Sequence, residues 1–161
     1  MKRRLLLAAC AAAAAAPARA QQAAAAVIDW PALTLVDGRT WSPESWRGQA
    51  AVVVFWATWC PFCKRHNAHV DQLNRRLQGR PARVLGVAID SDTAGVRRYM
   101  AQQRFGFPVT LDDGTLRQRF TARRIIPMTC LVDREGRLVQ SIPGEMVEDD
   151  VLALEDRKSV V

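Results

Sequence analysis

The chain has 161 residues, 49% hydrophobic and 24% charged, with a formal net charge of +7. This is one domain's worth of sequence, long enough to bury roughly two thirds of the surface its unfolded chain exposes, so stability needs no disulfide staple and the four cysteines are free for chemistry. Four of the 23 basic residues, Lys2, Arg3, Arg4 and Arg19, lie in the first twenty positions, which hold no acid; from Gln21 onward 19 basic residues face 16 acidic ones, and a net charge of +3 excludes the basic footprint that nucleic acid demands.

Residues 1–20 read as an export signal: a basic start, an apolar stretch from Leu5 to Ala16, Pro17 as breaker, then Ala18-Arg19-Ala20 as cleavage site. The stretch is short for a membrane span, which takes about 20 residues. Leu7-Ala8-Ala9-Cys10 also resembles a lipobox, so Cys10 is an alternative lipid anchor. Export implies a periplasmic location where disulfides persist. Residues 21–30 are expected to be linker, residues 31–157 the folded domain, and residues 158–161 a tail.

Within the domain, Leu33, Leu35 and Arg39 to Trp41 flank the turn pair Asp37-Gly38 and predict an N-terminal hairpin. Ala51 to Ala57, "AVVVFWA", has the composition of a strand buried on both faces. From Pro61 to Leu77, Phe62, Val70, Leu73 and Leu77 recur at helical spacing until Gly79-Arg80-Pro81. Then come a strand from Val84 to Ile89, a helix from Thr93 to Arg104, a strand at Val109 to Leu111 and a helical piece from Leu116 to Phe120. Met128 to Val132 and Leu138 to Ile142 form a strand pair across Asp133-Arg134-Glu135-Gly136, and Met146 to Asp156 closes as helix. The alternation predicts an α/β sheet with helices on both faces.

The chemistry centres on "WATWCPFCKRH", residues 56–66. Cys60 falls where a strand ends and a helix begins, so unbonded N–H groups and the positive end of the helix dipole face its sulfur and favour thiolate. Cys60 is therefore the expected nucleophile. Cys63, one turn on, is the resolving thiol, and Pro61 suits the first helical turn because its missing N–H would have had no partner there. A static disulfide closing so short a loop would stabilise little. Zinc would need four ligands and no second pair follows; haem attachment would need His where Lys64 stands. No resident metal or cofactor is expected. A copper site using His66 and His69 stays open as an alternative, although a helix histidine three residues from a cysteine is more commonly solvated surface.

"VVVFWATWCPFCKRH", followed by "IIPMTCLVDREG" about sixty residues later, resembles the thioredoxin fold, in particular its exported TlpA/ResA/CcmG-like branch of thiol-disulfide oxidoreductases. The similarity runs from about Pro31 to Leu154, and Arg83 to Val109 resembles that branch's central helix–strand insertion. The resemblance implies a central mixed sheet flanked by helices, a cis Ile126-Pro127 bond that offers the Ile126 backbone to a substrate strand, and a docking surface of Trp59, Pro61, Phe62 and Ile126. Trp56 is expected in the core, and Trp30, Trp41 and Trp46 as N-terminal packing. Where thioredoxins carry a buried Asp proton relay, Val54 stands here; Asp90 is the substitute candidate, with Asp92 as a helix cap. Cys130 reads as a buried structural thiol, Arg123 and Arg124 as solvated helix surface. The implied activity is reduction of protein disulfides, of the cytochrome c maturation or copper-centre assembly type, with an upstream membrane or periplasmic thiol reductant as second partner. A copper-delivery module and a peroxiredoxin-like peroxidase are the rivals.

Overall fold

The computed structural model describes residues 26–157. The export signal, Cys10, residues 21–25 of the linker and the tail at 158–161 lie outside the described residues. Among those described, no helix is long and apolar enough to cross a membrane.

A short hairpin opens the domain: β1 (Leu33–Thr34) pairs antiparallel with β2 (Thr40–Trp41) around Gly38, whose φ of 89° is the left-handed conformation that the Asp-Gly turn signal anticipates. The main sheet has five strands in the order β5-β4-β3-β6-β7. Its centre is β3 (Ala50–Trp56), every residue of which is buried, as a run of seven apolar residues demands. β4 (Ala82–Ala88) and β5 (Val109–Leu111) run parallel to it, reached by crossovers; β6 (Met128–Val132) runs antiparallel to β3, and β7 (Leu138–Pro143) antiparallel to β6.

Helices α1 (Pro61–Arg76), α2 (Thr93–Gln103) and α4 (Glu148–Leu152) share one apolar cluster with alternate residues of β3: Ala50, Val52, Val54 and Trp56. The other face, Ala51, Val53 and Phe55, carries the single turn α3 (Thr115–Gln118) and the 3-10 turn Pro43–Trp46. Most of its cover comes from the N-terminal segment, where Trp30 stacks on Trp46 at 3.7 Å and Trp41 meets Trp46 edge-on. These tryptophans are the packing residues anticipated, and Trp56 is fully buried.

Two expectations need correction. Residues 26–30 are not linker: Ile28 and Trp30 are buried, and Ile28 N–H donates to Gly136 while Leu138 N–H donates to Ala26. The closing helix does not span Met146 to Asp156: its N-cap Val147 is extended at ψ 161°, and α4 is five residues long before it tightens into a 3-10 turn at Ala153–Asp156. The buried stripe of α1 begins at Cys63 and runs through His66, Asn67, Val70, Asp71 and Leu73, and Phe62, the first apolar residue of the helical pattern, points outward.

Candidate active site

The ends of four strands meet at one end of the sheet. β3 runs through Ala57-Thr58-Trp59 into α1; β4 ends at Ile89-Asp90, with Ile89 N–H donating to Trp56; Ile126-Pro127 enters β6 opposite Phe55; and Gly144, after β7, donates its N–H to Pro127. Cys60 is the N-cap of α1 in extended conformation, and its Sγ accepts the N–H of Cys63 at 3.2 Å. A helix N-terminus with an N–H aimed at sulfur is the environment that favours negative charge there. Pro61 occupies the first turn. Cys60 and Cys63 are joined as a disulfide with Cα atoms 5.2 Å apart.

Accessibility separates the two sulfurs. Cys63 is fully buried, while Cys60 keeps 5% of its surface exposed. Next to Cys60 in the chain, Trp59 is 68% exposed and Pro61 is exposed; Phe62 is 56% exposed, and Ile126, ahead of the proline, is half-buried. Trp59 and Phe62 thus leave large apolar rings open to solvent before and after Cys60 in the chain. Phe62 is held in place by Arg65, whose guanidinium sits 5.1 Å over the ring and forms a two-pronged pair with Glu145.

The Ile126-Pro127 bond is cis, as the resemblance implied. Neither the N–H nor the C=O of Ile126 bonds to another backbone group among the described residues. Asp90, half-buried, accepts from Thr58 N–H at 3.1 Å and from the Thr58 hydroxyl, so it braces the loop two residues ahead of Cys60. Asp92 caps α2 through Ala94 N–H. Cys130 is buried, and burial pushes its thiol pKa up; its sulfur lies 3.5 Å from the Ser141 hydroxyl. Arg123 and Arg124 are exposed on a loop rather than on a helix.

His66 overturns its expectation. It is fully buried one turn below Cys63, with its Nδ1 accepting Met146 N–H at 3.2 Å and its Nε2 3.0 Å from the Thr129 hydroxyl. Nδ1 being an acceptor, the proton belongs on Nε2, which donates to Thr129. Burial, reinforced by the charge of His69, lowers the His66 pKa to about 4, so the ring is neutral at physiological pH. Thr129 is the cross-strand partner of Val54, so a polar pair has entered from β6 and α1 beside the place left apolar on β3. Both ring nitrogens being engaged, the copper reading loses the histidine nearest the cysteines. Among the described residues no group of three or more His, Cys, Asp or Glu gathers where it could hold a metal ion. A signal for His66 did exist: its spacing from Val70 and Leu73 places it on the buried face of α1.

A thioredoxin-fold scaffold presenting one accessible and one buried cysteine at the start of a helix defines a thiol-disulfide oxidoreductase. The AhpC/TSA family matches residues 23–141, and the chain belongs to that family. Among curated proteins it is similar to the thiol-disulfide oxidoreductase ResA of Geobacillus kaustophilus, 28% identical over 123 residues, and of Bacillus subtilis, 27% identical over 124 residues; each match covers 74% of this chain and 68% of the relative. Among solved structures it is similar to the exposed lipoprotein thioredoxin Etrx1 of Streptococcus pneumoniae, with TM-score 0.68, 27% identity, and 78% of this chain and 98% of that one covered. A thiol:disulfide interchange protein of Chlorobium tepidum shares the fold at TM-score 0.72 and 24% identity, covering 81% and 95% of the two chains.

Proposed function

We propose that this oxidoreductase is exported to the periplasm and works as a reductant of protein disulfides. The observation that carries the reading is the difference in access between the sulfurs: an incoming disulfide can meet Cys60 and cannot meet Cys63. In the reduced protein the Cys60 thiolate attacks one sulfur of the substrate disulfide, and the other sulfur leaves as thiolate and takes up a proton. Cys63 then gives up its proton and attacks Cys60 Sγ. The protein disulfide forms, the second substrate thiol is released, and two electrons have passed to the substrate. A thiol reductant upstream, in the membrane or the periplasm, returns the pair to dithiol.

Docking falls to Trp59, Pro61, Phe62 and Ile126, with Pro127 placing the Ile126 backbone, whose free N–H and C=O suit addition of an extended substrate strand. Asp90 is the group proposed to relay the Cys63 proton, through the loop that Thr58 ties to it. Cytochrome c maturation or copper-centre assembly fits such a partner, and the leader at residues 1–20, or a lipid on Cys10, supplies the route outward.

The test is capture. Expressed as the full chain, a Cys63→Ser variant cannot resolve and should accumulate mixed disulfides through Cys60 with exported proteins. Failure to trap any, or oxidation of Cys60 by hydrogen peroxide far faster than by peptide disulfides, would replace this reading with the peroxidase one.

A further inference from the structure

Beside Trp59, on the side of the site away from Ile126, a surface groove of about 360 Å³ runs between the redox loop and α2. Thr58 and Trp59 form one wall, Asp92, Arg98 and Tyr99 the other, and Asp90 lines it between them. Its polar groups are not balanced. The Asp92 carboxylate is met by Arg98 at 3.5 Å and by the helix cap. Asp90 is met only by the neutral Thr58, and no Lys, Arg or His among the described residues forms an ion pair with it. A carboxylate offers about four acceptor positions, so capacity remains on Asp90. The Tyr99 hydroxyl is buried and has no hydrogen-bond partner at all. The two lie close enough for the negative charge of Asp90 to reinforce burial in raising the Tyr99 pKa.

A buried hydroxyl without a partner beside an unpaired carboxylate is an arrangement that wants a donor. We propose that this groove is a subsite for a basic side chain, lysine or arginine, that the substrate protein carries beside the cysteine it presents to Cys60. The inference rests on the oxidoreductase reading above and adds a substrate class to it. Ammonium and guanidinium groups are donors only, so either one pairs with Asp90 and also donates to the Tyr99 oxygen. The 68% exposed Trp59 indole and the Tyr99 ring offer faces along which the aliphatic stem and the cation can lie. Trp59 adjoins Cys60, so at about 3.3 Å per residue a side chain one to three positions from the reacting cysteine reaches the groove.

The experiment uses the pre-reduced full chain, mixed with an excess of either of two peptides that each hold one intramolecular disulfide and differ only by lysine or norleucine beside a cysteine. The half-saturating concentration and the limiting exchange rate are read separately. The lysine peptide should half-saturate at about tenfold lower concentration, the scale of one hydrogen-bonded ion pair, with an equal limiting rate. Raising the salt should shrink that advantage. Tyr99→Phe, which removes only the hydroxyl, should lose part of it, and Asp90→Asn should abolish it on the half-saturation reading. Equal half-saturation for both peptides, or an advantage untouched by both substitutions, overturns the subsite and leaves the oxidoreductase reading standing. Exchange with neither peptide overturns that reading and the subsite with it.

Discussion

Protonating His66 inside the fold is costly, and the cost should appear as a pH dependence of stability. The folded ring has a pKa of about 4 against an ordinary 6.5, chiefly through burial, with the charge of His69 acting in the same direction and that of Glu145 against it. Between those two values the unfolded chain binds a proton that the folded chain refuses. Stability therefore rises with pH across the window: the neutral ring's contribution is complete above about pH 6.5 and is lost as pH falls toward 4. The gap amounts to about 3 kcal/mol, a large fraction of the 5–15 kcal/mol typical of a domain. The assay is denaturant unfolding of the oxidised protein from about pH 7.5 down to about pH 4, beside a His66→Gln variant that keeps a donor and an acceptor but does not titrate. At neutral pH the variant should be weaker by about 1–2 kcal/mol, since an amide cannot span from Met146 N–H to the Thr129 hydroxyl as the ring does. As pH falls the curves should meet and then cross, leaving the variant the more stable by about 1–2 kcal/mol near pH 4. Carboxylates held below their ordinary pKa, such as Asp37 beside Arg39 and Asp113 at Thr115, add an acid loss common to both proteins, so the difference isolates His66. Two curves that stay parallel would refute the burial argument.

Two further outcomes follow from packing. Trp59→Ala should raise the half-saturating concentration of a protein disulfide by about tenfold while leaving exchange with a small aromatic disulfide nearly unchanged, because in the proposed docking the exposed indole meets the partner rather than the sulfurs; a matching loss with the small disulfide would place Trp59 in the chemistry instead. Gly86→Ala should destabilise by about 1–3 kcal/mol in thermal unfolding, since a Cβ on β4 would lie 2.7 Å from the Phe107 ring and 3.0 Å from both Trp56 and Val109; an unchanged melting temperature would mean that this layer yields more readily than its burial implies.

The sheet was legible because its signals are local. Seven consecutive apolar residues announce β3 whatever surrounds them, β5 and β6 fall at the expected residues, and Asp37-Gly38 marks its own turn. The redox pair was equally readable, since its chemistry depends on the adjoining strand–helix junction. What escaped was tertiary. His66 is defined by Thr129, 63 positions away, and Met146, 80 positions away, and nothing in the helical pattern alone reveals either partner. Phe62 entered the helical pattern with Val70, Leu73 and Leu77, yet the buried stripe begins with the less conspicuous Cys63. Residues 26–30 looked empty because they have too few contacts of their own to form an element, yet they complete the cover over Ala51, Val53 and Phe55.

The central claim is that the start of α1 makes the Cys60 sulfur acidic, and its most direct measurement is the rate of iodoacetamide labelling at Cys60 in the reduced protein as a function of pH. The account predicts a midpoint well below the ordinary value of about 8.5, with Cys130 silent until the chain unfolds. A midpoint at or above that of a free cysteine would contradict it.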